Sequence, residues 1–207
     1  TNGTLLATSA ERKRLFRLAT KRIVQMVLDL EAKGEGQGLL PREIISADSI
    51  DNAMVLDMAM GGSTNTVLHM LAVAQEAGIP YDLQRINELS RQTPNVCKVA
   101  PSSHYHVENV HNSGGIHTIL GSVDRGRPGL LKLDCPTVTG KSLGQNIAAY
   151  DIRGPKPRKE ALELAAVTAG GRRTPQGMTV ARSVKTVAEL TPETLGFDPF
   201  DCVREVD

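Results

Sequence analysis

The stretch ADSIDNAMVLDMAMGGSTNTVLHMLAVAQEAG, residues 47–78, decides the fold. Its spacing predicts one helix from about Ala47 to Met60, stopped by Gly61-Gly62. Ser63-Thr64-Asn65 then opens a second helix that runs to Ala77, with Gly78 and Pro80 as stop signals. This second helix is apolar nearly all round, which predicts burial on most of its faces.

Upstream, Thr8-Ser9-Ala10-Glu11 reads as a capping box, a hydroxyl N-cap with an acid three residues on. Leu15, Ala19, Ile23, Met26, Val27 and Leu30 recur after it at helical spacing, predicting a helix from about Ser9 to Lys33. Gly34-Glu35-Gly36-Gln37-Gly38 ends it. Downstream, Asp82 caps a helix that Pro94 closes, and Val96 to Ser103 is short and strand-like or irregular. A brief helix is expected over Val107 to Asn112, a strand within Leu130 to Val138, and another helix over Ser142 to Ala149. Beyond Asp151 the character changes. Gly154-Pro155-Lys156-Pro157-Arg158 is linker-like, and Gly170-Gly171-Arg172-Arg173-Thr174-Pro175 is a second break.

Composition narrows the class. The chain has 207 residues, enough for one full domain. Aromatic residues make up 3%, so a core must come from Leu, Ile, Val, Met and Ala, which suits helices. A net charge of +1 gives no electrostatic reason to expect nucleic acid or an anionic membrane as partner. No apolar run approaches the ~20 residues that span a bilayer, and the start lacks a signal peptide's layout. Cys97, Cys135 and Cys202 are scattered, with no C-x-x-C spacing, against both a disulfide framework and a self-contained zinc site. A reducing cytoplasmic compartment, or an organelle matrix, is the expected setting.

Few residues offer chemistry. The turn Gly61-Gly62-Ser63-Thr64-Asn65 could bring backbone N–H groups close to a carboxylate or phosphate at the following helix N-terminus. The plainer reading is a tight turn with an N-cap, and the glycine spacing matches neither a phosphate loop nor a dinucleotide fingerprint. His104, His106 and His111, with Glu108 among them, fail the H-E-x-x-H pattern, so a structural or pocket-lining role is favoured over metal binding. Lys98 could lower the Cys97 thiol pKa, but a small buried hydrophobe is the commoner role. Asp48, Asp51 and Asp57 are best read as a solvated helix face.

Taken together, several stretches resemble the family of dihydroxy-acid and 6-phosphogluconate dehydratases. They are Asn2-Gly3-Thr4-Leu5-Leu6-Ala7-Thr8 with Ala10-Glu11-Arg12-Lys13, then Met60-Gly61-Gly62-Ser63-Thr64-Asn65 with Leu68-His69 and Glu76-Ala77-Gly78. Cys97-Lys98-Val99-Ala100-Pro101-Ser102 follows, with His106-Val107-Glu108-Asn109-Val110-His111 and Gly114-Gly115. The match runs from Thr1 to about Ala149, and its Cys-Lys-Val-Ala-Pro-Ser and His-x-Glu-x-x-His segments are similar to the branched-chain branch. The resemblance implies an α/β fold class: residues 1–149 as the later, helix-rich part of an N-terminal α/β domain, and 150–207 as a connection toward a second, barrel-like domain.

It also implies a parent homodimer or homo-oligomer, a hydro-lyase that turns 2,3-dihydroxy-3-methyl carboxylic acids into 2-keto acids in valine and isoleucine biosynthesis. Such enzymes carry an iron–sulfur cluster and Mg2+. The family's cluster cysteines belong to C-D-K and G-S-C-S-G motifs, neither of which occurs here. The resemblance therefore implies an internal piece holding no metal, with no catalytic residue to carry over. Gly61, Gly62, Ser63, Thr64 and Asn65 are the expected substrate-binding residues. A phosphogluconate or sugar-acid dehydratase, and a non-catalytic scaffold, are the rival readings.

Overall fold

The computed structural model describes residues 3–34, 40–167, 173–174, 177–178 and 187–206. In chain order the helices are α1 (Ala10–Lys33), α2 (Pro41–Ile44), α3 (Ala47–Met60), α4 (Thr64–Ala77), α5 (Leu83–Gln92), α6 (Val107–Asn112), α7 (Gly115–Gly126), α8 (Leu143–Tyr150) and α9 (Lys159–Ala166). A two-residue hairpin, β1 (Arg173–Thr174) with β2 (Gly177–Met178), follows. A 3-10 turn (Val187–Glu189), α10 (Pro192–Leu195) and α11 (Pro199–Cys202) complete the order. The described residues are thus the helix-rich assembly that the sequence implies.

Helix α3 is central because its hydroxyl cap fixes its start and it buries four apolar side chains beside two polar ones, Asp51 and Asn52. Ser46 Oγ accepts the Ser49 N–H at 3.2 Å, while Ser49 Oγ accepts the Ser46 N–H at 2.8 Å. Ile50, Met54, Val55 and Ala59 are buried from α3, facing Ile119 and Val123 of α7 within one core that also takes Ile86 and Leu89 of α5. Asp82 caps α5 as its sequence indicates, accepting the Arg85 N–H at 2.9 Å.

Helix α7 escapes the sequence reading, and the reason is physical. Gly114 and Gly115 read as a stop, and Gly121 sits mid-helix where glycine costs ~1 kcal/mol relative to alanine. Tertiary packing overrides that cost. A Cβ at Gly121 would lie 2.0 Å from Asp151 Oδ2, so only glycine lets the carboxylate pass. Asp151 is 1% exposed and is paired with Arg125 of α7. Arg125 also grips Glu205 with Nη2 at 2.9 Å, which fastens the C-terminal stretch across α7.

That stretch returns to the core. The Lys98 N–H donates to Cys202 O and the Arg204 N–H to Val96 O, each at 2.8 Å, and Cys202 and Val203 are fully buried. The expected strand-like character at 96–103 thus reduces to a single antiparallel bridge, Cys97 with Val203. No strand forms within 130–138. Instead the Asn52 amide holds Lys132 by both main-chain groups, at 2.8 and 3.0 Å, in place of a neighbouring strand.

Other expectations need correction. Ser9, not Thr8, is the N-cap of α1, its side chain makes no capping hydrogen bond, and Glu11 turns to Arg14. Helix α4 buries only Ala74, and Leu68 is 67% exposed, so an all-round apolar helix lies bare along one side. Helix α9 occupies part of the region that reads as a connection, and it docks by Ala161, Ala165 and Ala166. The Gly170 to Arg172 portion of the second break and the glycine run 35–38 lie outside the described residues.

Replacing Ile119 with alanine should cost about 2–5 kcal/mol by urea denaturation, whereas Leu83→Ala on the exposed side of α5 should stay within about 0.5 kcal/mol.

Candidate functional site

The turn between α3 and α4 is built by its neighbours as much as by its own residues. Gly61 closes α3 in the left-handed region, φ 64° and ψ 51°, where a side chain would be strained. The Gly62 N–H donates to Asp57 O at 2.7 Å. A Cβ at Gly62 would meet Asp57 Oδ1 at 2.0 Å, because that carboxylate folds back to accept the Ser63 N–H at 3.2 Å. Ser63 then caps α4, its Oγ accepting the Asn65 N–H at 3.2 Å. Gly61, Gly62, Ser63, Thr64 and Asn65 are all exposed. The arrangement is a polar knuckle at the positive end of a 14-residue helix. Asp57 already supplies one negative group there, so the turn is partly satisfied from within. An open cleft of about 640 Å³ lies elsewhere, between Arg91, Thr93, Arg127 and Leu130.

The remaining candidates separate. Among the described residues no three His, Cys, Asp or Glu side chains converge on a possible metal position. The His104 ring lies tilted against that of Tyr105, centroids 4.2 Å apart, His106 precedes α6 as its N-cap, and His111 turns inward. Asp51 is not part of a solvated face. It is 3% exposed, paired with Arg85, and accepts the Tyr81 hydroxyl at 2.7 Å. Burial, then that hydrogen bond, push the Tyr81 pKa upward, while Asp51 raises that of Arg85.

Spacing alone gave no sign that Cys97 and Cys202 would meet. Both are buried, with Cys202 Sγ 3.8 Å from Lys98 O. The Cys202 sulfur and then burial push the Cys97 thiol up, the reverse of what Lys98 alone would do. The Lys98 ammonium instead pairs with Asp201, which also accepts the Tyr105 hydroxyl at 2.9 Å. Burial, then Asp201, push that phenol up to about 12.

Residues 1–146 match the family model described as the dihydroxy-acid/6-phosphogluconate dehydratase N-terminal region. The chain belongs to that family. It is also 54% identical over 151 residues to a dihydroxy-acid dehydratase of Akkermansia muciniphila, covering 73% of this chain and 26% of the relative. The chain therefore spans about a quarter of the length of that dehydratase.

The iron–sulfur cluster and Mg2+ that the resemblance implies do not fit the described residues. A cluster needs thiolates facing a common open space, but Cys97 is held as a thiol against another sulfur in the core. Cys135 lies apart from that pair, near Ser46, Asn52 and Asp48. Asp51 already spends its oxygens on Arg85 and Tyr81.

His111 has a fixed structural role in this chain. A carbonyl can only accept, so His111 Nε2–H donates to Leu164 O at 2.9 Å, and Nδ1 receives the Thr4 hydroxyl at 3.1 Å. The neutral ring thus ties the N-terminal segment, α6 and α9 together. Burial pulls the pKa values of His111 and of the nearby His117 down from 6.5 to about 4. Unfolded imidazoles take up protons below 6.5 that the folded ones refuse until about 4. Stability should therefore be level above pH 7 and fall as pH drops from 6.5 toward 4. The fall attributable to His111 should be on the order of 1–2 kcal/mol by pH 5. Urea midpoints measured across that range check it, and His111→Gln, less stable at pH 7, should show a shallower fall.

Proposed function

We propose that this chain is a helical part of the N-terminal domain of a dihydroxy-acid dehydratase, a lyase of valine and isoleucine biosynthesis. The observation that carries this reading is the 54% identity to a relative of that name. The parent reaction removes the C2 proton and the C3 hydroxyl of a 2,3-dihydroxy-3-methyl acid as water. The resulting enol tautomerises to the 2-keto acid. Cluster iron and Mg2+, supplying Lewis acidity to the parent, would be held by polypeptide outside the described residues. Residues 1–149 would belong to the N-terminal domain and 150–207 would lead toward the second domain. No helix among the described residues is long and apolar enough to cross a membrane.

Within that enzyme, Gly61 to Asn65 would face the carboxylate of the substrate. Support comes from the exposed helix N-terminus and from the rigidity that Gly62 and Asp57 impose on it. The family description also covers 6-phosphogluconate dehydratases, so that acid is the second substrate to assay.

In the full-length enzyme, Asn65→Ala should raise KM for the dihydroxy acid by about tenfold or more, the loss of one hydrogen bond to a charged group. Steady-state kinetics on both acids test the two parts separately. An unchanged KM and kcat would remove the turn from the site, while preferential turnover of 6-phosphogluconate would replace the substrate.

A further inference from the structure

Cys97 and Cys202 meet where the C-terminal stretch returns to the core. Cys97 forms its antiparallel bridge with Val203, the residue after Cys202. The Lys98 N–H donates to Cys202 O and the Arg204 N–H to Val96 O, so Cys97 and Val203 face each other as a non-hydrogen-bonded pair. Facing Cα atoms in such a pair are about 4.5 Å apart. That sets the two cysteine Cα atoms at about the separation of 4.4–6.8 Å that a disulfide spans. The Cys202 side chain also turns back toward residues 97–98, with Sγ 3.8 Å from Lys98 O. Both thiols are buried, and Cys135 lies apart beside Ser46 and Asn52.

The surroundings of the two thiols are unequal. The Cys97 sulfur draws the Cys202 thiol below its ordinary value against the opposing effect of burial, with help from Ser113 and Arg153. Arg153 is fixed beside that cysteine because its guanidinium donates to Val203 O at 2.7 Å and to Pro199 O at 2.9 Å. Cys97 has no such cation, and its thiol is pushed up. An electropositive setting of that kind marks the thiol that reacts first. Reagents reach it by local opening of residues 199–206, where α11 is only four residues long and Phe200 already faces water.

We propose that Cys97 and Cys202 are a reversible dithiol site, closed to an intramolecular disulfide by a hydroperoxide. The Cys202 thiolate attacks one peroxide oxygen, the O–O bond breaks, and the departing hydroxide takes up a proton to leave as water. The resulting sulfenic acid is displaced by the Cys97 sulfur, whose proton leaves with the hydroxyl as a second water. Two thiols lose two electrons and two protons, and one hydrogen peroxide becomes two waters. A small dithiol reverses the step by exchange. The bond clamps the C-terminal stretch to residues 96–98. The site is separate from the turn Gly61 to Asn65 and stands whichever acid the parent enzyme dehydrates.

The test treats the folded 207-residue chain with excess hydrogen peroxide, alkylates remaining thiols in denaturant and maps the peptides by mass spectrometry. The untreated chain carries three thiols. The treated chain should carry one, on Cys135, with the Cys97 and Cys202 peptides linked, and dithiothreitol should restore all three. Because the link closes a long loop, the urea midpoint should rise by about 1 M or more on oxidation. Cys97→Ser and Cys202→Ser should each abolish both the link and the rise. Where a serine variant fails to fold, the wild-type map and midpoint decide alone. Three thiols surviving the peroxide, a link to Cys135 or to a second chain, or an unmoved midpoint would overturn the proposal. None of these readouts involves turnover, so failure here is distinct from failure of the dehydratase reading.

Discussion

A carboxylate cannot remain buried without a partner, and Asp151 is where this fold meets that constraint. The group is almost fully enclosed, and it is compensated by Arg125 and by the Arg153 N–H at 2.9 Å. Removing one member of such a pair leaves an uncompensated charge, at a cost of about 3–5 kcal/mol. Much of the architecture follows from satisfying it. Gly121 is bare so that the carboxylate can fit, and Arg125 must come from the last turn of α7. That same guanidinium then reaches Glu205. One buried acid thereby fixes the relation of α7, the end of α8 and the C-terminal stretch.

Arg153 repeats the device from the other side. Its guanidinium donates to Val203 O at 2.7 Å and Pro199 O at 2.9 Å, and lies 4.2 Å over the Phe200 ring. Residues 199–206 are held in this way by main-chain pairing with 96–98, by arginine clasps and by a buried sulfur pair. This stretch closes the core that the preceding helices build.

Helices with strong local signals could be read from the sequence. Gly61 and Gly78 mark true left-handed stops, Asp82 and Ser142 cap as their residue types demand, and α6 falls on the expected residues. What stayed hidden depends on distant contacts. Gly121 weakens α7 locally and is justified only by Asp151, 30 residues on. Cys97 and Cys202 meet across a separation that no spacing rule covers. Asp51 looked like one of several surface acids until Tyr81 and Arg85 were placed beside it. The candidate turn was the most legible part of the site, since glycines followed by a hydroxyl cap define it locally. Asp57 was the exception, because its fold back over Gly62 is visible only in three dimensions.

The bare side of α4 has an electrical consequence. While Leu68 and the turn beside it face water, a dielectric near 80 reduces the field of the helix end to a small fraction of its value in an apolar medium. Covering that side with apolar polypeptide would expel the water and strengthen the field without moving a single atom of the turn. The positive field of this helix end is therefore latent, a property of the backbone that only enclosure can amplify.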